Sequence, residues 1–239
     1  MVLEEEQPLC GGRTALSVVR IADTVRRTPS PNDEFARALL LHLEQQGFDA
    51  APRFLGVDSA GRRVLSYVSG EVPAELGHFE DEALVGAARL IRRYHDATTS
   101  LFSDSVWRSV GIDVAAHNDL SPCNTVFRAG TPIALIDFDA AAPGTRIRDL
   151  GYVAWLWLDI GNVDLYSPGE QGRRLKLFVE SYGSPADVRQ VARAAIDRQN
   201  LVEMEGMRLG KAEMTRWAVT CRASTEALVE LFDQTDRGA

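Results

Sequence analysis

Residues 117–139, HNDLSPCNTVFRAGTPIALIDFD, decide how the rest of this 239-residue chain is read. Val114–Ala116 are small and apolar and lead into His117, residues 124–128 read as a short strand, and residues 132–136 form a second apolar run. Ala129-Gly130-Thr131 between the runs carries turn chemistry, so the pair predicts a β-hairpin. That hairpin starts at Asn124 and finishes at Asp137, which brings an amide and a carboxylate together on one side. A hard divalent cation such as magnesium is commonly held by one or two such oxygen donors, with water and phosphate oxygens completing the shell.

Taken singly, these residues have ordinary explanations. An Asp before Leu-Ser-Pro is a turn former, an Asn at a strand start satisfies local backbone, and an Asp at a strand end caps the next element. Turn and cap chemistry does not call for His117-x-Asp119-x-x-x-x-Asn124 followed by an apolar strand that ends in Ile136-Asp137-Phe138-Asp139. In protein kinases that order supplies an Asp that accepts the substrate hydroxyl proton, an Asn on magnesium and a later Asp on magnesium. With Ala142-Pro143-Gly144 and Arg148-Asp149-Leu150 added, the stretch resembles the aminoglycoside phosphotransferase and choline kinase group of small-molecule kinases. The resemblance is densest over residues 115–152 and extends weakly back to Gly11.

The resemblance implies a protein-kinase-like, two-lobed α+β fold. A small β-rich amino-terminal lobe (1–69) would bind nucleotide, and a larger, mainly helical carboxy-terminal lobe (70–239) would carry the catalytic loop and the acceptor site. It implies a phosphotransferase that moves the γ-phosphate of ATP or GTP to a hydroxyl of a small molecule. Asp119 would be the catalytic base, Asn124 and Asp137 the Mg²⁺ ligands, and His117 a support for the loop backbone, while Asp149 would hold that loop from behind. Asp139 would bind a second metal or line the acceptor cleft.

The amino-terminal part reads independently as strand, strand, helix, strand, strand. Residues 15–21 and Thr24–Arg27 flank Ala22-Asp23 as a hairpin, and Ser30-Pro31-Asn32-Asp33 supplies a helix start with an acid in the first turn. The helix is expected to run to about Gln46 and stop at Gly47, with strands at Phe54–Val57 and 64–68. Gly11-Gly12 is either a phosphate-covering turn or a plain one. The cation expected on the strand before the helix is Arg26 or Arg27, and the family pattern favours Arg27. No acid lies mid-helix to pair with it, since Asp33 and Glu34 are in the first turn and Glu44 is near the far end. Residues 65–70, LSYVSG, resemble the segment joining the two lobes, which implies the Ser66 carbonyl and the Val68 N–H as adenine partners.

From Pro73 onward the pattern is helical. Leu84, Ala87, Ile91 and Tyr94 fall at helical spacing over residues 80–97, with His95 on the same side as a buried, hydrogen-bonded residue. Further helical patterns cover 147–160, 171–182, 185–209 and 211–232. Trp155, Trp157, Asp159, Glu203 and Glu205 on these helices are candidates for an acidic, aromatic wall around a cationic acceptor, such as an aminoglycoside or another cationic alcohol. Tryptophans two residues apart cannot share one helix face, so at least one belongs to the core.

Composition narrows the class. A formal charge of −8 argues against nucleic acid as a partner and suits a cationic acceptor. No apolar run approaches the roughly 18 residues of a membrane span, and MVLEEEQ lacks the order of a signal peptide, so the cytoplasm is the expected location. Cys10, Cys123 and Cys221 are too widely spaced for a disulfide framework or a zinc cluster. Oligomeric state is not encoded in any feature of the chain. The competing reading is a non-catalytic, nucleotide-binding, kinase-like regulatory protein, to which the missing mid-helix acid lends weight.

Overall fold

The computed structural model describes residues 6–9, 18–183 and 186–237, so Gly11-Gly12 and the first part of the 15–21 strand lie outside the described residues. Strands β1 (Gln7–Pro8), β2 (Val18–Ile21), β3 (Thr24–Arg27), β4 (Phe54–Val57) and β5 (Arg63–Ser66) form an antiparallel sheet in the order β1-β2-β3-β5-β4. The β2–β3 hairpin turns at Ala22-Asp23, with Ala22 in the left-handed region at φ 49°. The β4–β5 turn is closed by Asp58, whose carboxylate accepts the backbone N–H groups of Ala60 and Arg62.

Helix α1 (Asp33–Gln45) links β3 to β4 and buries Ala36, Leu39, Leu40 and Leu43. It begins at Asp33, two residues later than a proline at the first helical position would place it. The capping residue is Asn32, and its side chain makes no cap hydrogen bond. Its Nδ2 donates instead to the carbonyls of Ala141 (2.6 Å) and Asp139 (3.2 Å), so the helix start is tied to the far side of the cleft.

The larger helical portion is built on α2 (Asp81–Thr98), which packs against α5 (Pro168–Tyr182), β6 (Val114–Ala116) and β8 (Thr131–Leu135). The expected hairpin forms from β7 (Thr125–Arg128) and β8, with Thr125 opposite Leu135 and Arg128 opposite Thr131. A second pairing joins β6 to β9 (Ala142–Gly144) on either side of the motif region. A five-residue helix, α3 (Ser105–Ser109), precedes β6. Helices α4 (Arg146–Trp157), α6 (Val188–Arg208) and α7 (Ala212–Arg237) complete this portion. Thr145, Ser167 and Asp187 cap the starts of α4, α5 and α6 in turn through their side-chain oxygens, which explains why those helices begin there.

Helix α4 is buried on nearly all sides. Trp155 is 1% exposed and stacked on Trp217 at 4.4 Å, and Trp157, also 1% exposed, packs against Phe79 and Phe127. Two faces of one helix can both be apolar when helices and the β7–β8 hairpin cover it from both sides. Gly151 lies where α4 meets α6. A Cβ there would fall 2.6 Å from the Ala195 nitrogen and equally hard against the Ala194 backbone. Gly151→Ala is therefore expected to force the two helices apart and to cost roughly 1–3 kcal/mol, readable as a lower denaturation midpoint at unchanged m-value.

Candidate active site

The loop between β6 and β7 is held from behind by Asp149 on α4. Its two oxygens accept the backbone N–H groups of His117 (2.8 Å) and Asn118 (2.9 Å), and His95 Nε2 on α2 adds a third hydrogen bond at 3.1 Å. Tyr182 closes the chain on His95 Nδ1 at 2.8 Å. Burial pushes the Asp149 carboxyl upward, but the His95 hydrogen bond, the charges of His95 and His117 and the bond from the His117 backbone outweigh it. Its pKa lies below the usual carboxylate range. His95 is thus the buried, bonded histidine that its place on the apolar side of α2 implied.

With its backbone fixed, the loop turns through Asn118 in the left-handed region (φ 62°), and its Nδ2 donates to the Ala140 carbonyl at 3.0 Å. Asp119 is the next residue. Asn124 Nδ2 donates to Asp119 Oδ2 at 2.8 Å and the Tyr152 hydroxyl donates to Oδ1 at 3.1 Å, so the carboxylate is oriented from both sides. Burial raises the Asp119 pKa and the neighbouring Asp137 charge adds to it; His117 and the bonds from Tyr152 and Asn124 offset this only in part.

Asn124 and Asp137 sit at the two ends of the β7–β8 hairpin, joined by the Ile136 N–H to Asn124 carbonyl bond at 2.9 Å. Because Asn124 turns its amide nitrogen toward Asp119, its Oδ1 is the atom left to face a cation. Asp137 has φ 64°, a conformation that Asp tolerates better than most residues and that re-aims the carboxylate as the strand ends. Among the described residues, no group of three or more His, Cys, Asp or Glu is placed to hold a metal. An amide oxygen and a carboxylate are nonetheless a donor set that fits magnesium, whose shell is otherwise filled by water and phosphate.

Of the two arginines on β3, Arg27 faces this end of the hairpin and Arg26 turns toward Asp58. Arg27 Nη2 lies 2.8 Å from Asp137 Oδ1, and its Nε donates to Asp139 Oδ2 at 2.8 Å. Arg63 on β5 approaches Asp139 from the other side and also reaches Asp33. Asp139 is therefore held between two guanidiniums. Ser66 lies opposite Thr24 in the sheet, with its N–H donated to the Arg53 carbonyl and its Oγ accepting the Arg53 N–H. Val68 is half-buried against the core where the chain leaves β5.

The acidic, aromatic acceptor wall expected from the helices is not assembled. Trp155 belongs to the core, covered by Trp217 of α7. Asp159, at φ 46°, accepts from Asn162 in the turn after α4, Glu203 is closely paired with Arg222 of α7, and Glu205 is paired with Arg208 of its own helix. Tyr152 and Arg198, absent from the sequence-derived set, flank Asp119 instead. The Arg198 guanidinium lies 4.4 Å from the centre of the Tyr152 ring and donates to the Asn118 carbonyl at 3.3 Å, next to Asp119. Tyr152, three residues beyond Asp149, shares its helix face, which is a usable signal. Arg198, far from Asp119 in sequence and on a helix rich in arginine, offers none.

A loop that carries Asp119, a hairpin that runs from Asn124 to Asp137 and a facing Arg27, set between a small antiparallel sheet and a helical portion, are the arrangement of a protein-kinase-like fold. The phosphotransferase enzyme family matches residues 111–175. The chain is also 33% identical over 190 residues to the trifolitoxin immunity protein of Rhizobium leguminosarum bv. trifolii, covering 72% of each. This chain belongs to that phosphotransferase family. Solved structures similar in fold include choline kinase from Cryptosporidium parvum (TM-score 0.65, 15% identity, 97% of this chain and 90% of that one). Choline kinase of Streptococcus pneumoniae gives a TM-score of 0.59 at 15% identity over 95% and 93% of the two chains. The GDP complex of wild-type aminoglycoside 2'-phosphotransferase-IIIa gives 0.54 at 17% over 95% and 94%. No described helix is long and apolar enough to cross a membrane.

Proposed function

We propose that the protein transfers the γ-phosphate of ATP or GTP to a hydroxyl of a small molecule, with residues 1–69 as the nucleotide lobe and 70–239 carrying the catalytic loop and acceptor site. The observation that carries this reading is the carboxylate of Asp119, oriented by Asn124 and Tyr152 and one hairpin away from Asp137 and Arg27. Each oxygen of Asp119 keeps a further lone pair beyond the bond it already accepts, so the residue can orient an acceptor hydroxyl and take its proton. Arg27 would meet the phosphates as a two-pronged donor, a match that guanidinium makes well. Ser66 and Val68 would contribute backbone groups to the base. Magnesium, when held by Asn124 and Asp137, would offset the phosphate charge.

For the acceptor, the name of the trifolitoxin immunity protein favours a toxin or antibiotic. The −8 formal charge is compatible with an aminoglycoside or another cationic alcohol, and Asp159, which accepts from Asn162, makes no ion pair among the described residues, whereas Glu203 and Glu205 each pair with an arginine. The proposed setting is the cytoplasm, with a small-molecule acceptor rather than nucleic acid or a membrane as partner.

The test is a thermal-shift titration with ATP and GTP, each with and without Mg²⁺, followed by a screen of hydroxyl acceptors for phosphate transfer. Magnesium-dependent stabilisation together with turnover that Asp119→Ala abolishes is expected. The pairing of Asp137 and Asp139 with arginines also suits a non-catalytic, nucleotide-binding regulator. Nucleotide binding with no turnover over a broad panel, indifferent to Asp119→Ala, would establish that second reading.

A further inference from the structure

Helix α1 lacks the mid-helix acid that would tie it to the β3 cation, yet α1 is not loose. Its first turn is joined to the Asp137–Asp139 segment by Asn32 and, through Asp33, by Arg63. Arg63 is 2% exposed and stands directly opposite Arg27 in the β3–β5 register. Its Nη2 is closely hydrogen-bonded to Asp139 Oδ1, and its Nε lies 3.1 Å from Asp33 Oδ1, an electrostatic contact without hydrogen-bond alignment. Two guanidiniums side by side are thus interleaved with Asp33, Asp137 and Asp139.

We propose that Arg63 is the positioning residue for the phosphate end of the cleft: by keeping Asp139 and Asp33 neutralised, it frees Arg27 to bind nucleotide phosphates. The proposal rests on reading that cleft as a nucleotide site. A buried cation must keep its carboxylates, because removing them leaves an uncompensated charge out of water. The Arg63 pairings are therefore the permanent ones. Arg27 is more accessible and shares Asp139 with Arg63, so it can exchange carboxylate oxygens for phosphate oxygens at little cost. Without Arg63, Asp139 would have Arg27 as its remaining cation and would hold it back from the nucleotide.

This makes a rescue experiment possible, with Mg·ADP affinity measured by isothermal titration calorimetry as the readout. Arg63→Met is expected to weaken binding by roughly tenfold, the scale of coupling between neighbouring charged groups. Arg63→Met combined with Asp139→Asn is expected to recover most of that loss, because a neutral Asn no longer competes for Arg27. Arg63→Lys should fall between, since an ammonium cannot span two carboxylates as a fork does. Unchanged affinity in Arg63→Met, or failure of Asp139→Asn to restore it, would overturn the proposal. If Arg63→Met does not fold by circular dichroism, the same cycle on Arg63→Lys applies, and Asp139→Asn must again recover the loss. Wild-type protein that binds neither Mg·ADP nor Mg·GDP would overturn the nucleotide site itself; normal wild-type binding with an inert Arg63→Met removes this proposal alone.

Discussion

Replacing Asp119 by Asn is expected to reduce phosphate transfer by about 10²- to 10⁴-fold, the usual worth of a positioned general base. Nucleotide affinity should hardly change, because the phosphates and the cation are assigned to Arg27, Asn124 and Asp137. Stability should hold or rise. Burial and Asp137 disfavour the ionised form of Asp119, so a neutral isostere removes a cost rather than a support. The Asn oxygen can still accept from Asn124, and its amide nitrogen can donate to the Tyr152 hydroxyl oxygen, so the loop should keep its shape. Steady-state transfer to whichever acceptor the screen returns, beside a melting curve and a nucleotide titration, separates these effects. Loss of activity accompanied by loss of fold would mean that Asp119 is structural.

Asp149 is expected to behave in the opposite way. It is 1% exposed and accepts from two backbone N–H groups and His95, so Asp149→Ala strands several buried donors at once. Breaking such a buried arrangement costs about 3–5 kcal/mol, a large share of the roughly 5–15 kcal/mol by which domains are stable. The pH dependence has a definite sign. The folded-state pKa of Asp149 is depressed below 3.8, so its stabilisation is fully present above that value and is lost as pH falls through the folded pKa. Asp149→Asn should therefore lower the denaturant midpoint at neutral pH and flatten the acid limb of stability against pH. A stability within about 1 kcal/mol of wild type, below the usual range for a broken buried pair, would show that the loop is held by something else.

Local chemistry makes the hairpin, the α1 stop at Gly47 and the amphipathic face of α2 readable from the chain. Strand periodicity, turn residues and apolar spacing all act over a few positions, and the structure follows them closely at 24–27, 54–57 and 125–135. The features that escape such a reading are long-range. Asn32 reads as part of a helix start, yet its side chain spans to Ala141, because a capping residue near a second element can satisfy that element instead. Trp155 and Glu203 suggest an acceptor wall since sequence reveals that a residue is aromatic or acidic but not that Trp217 or Arg222 covers it. Arg63 lies just before the strand expected at 64–68 and belongs to no motif; its importance comes from standing opposite Arg27 once β3 and β5 pair. The missing α1 acid is visible in sequence, whereas the network of Asp33, Arg63 and Asp139 in its place is not.

The most direct measurement is a crystal structure with Mg²⁺ and a non-hydrolysable ATP analogue. One magnesium ion coordinated by both Asn124 Oδ1 and the Asp137 carboxylate at about 2.0–2.1 Å, with Arg27 turned from Asp139 to the phosphates, is the result this account predicts. Phosphates bound with the ion away from both residues, or with Asp137 still paired to Arg27, would contradict it.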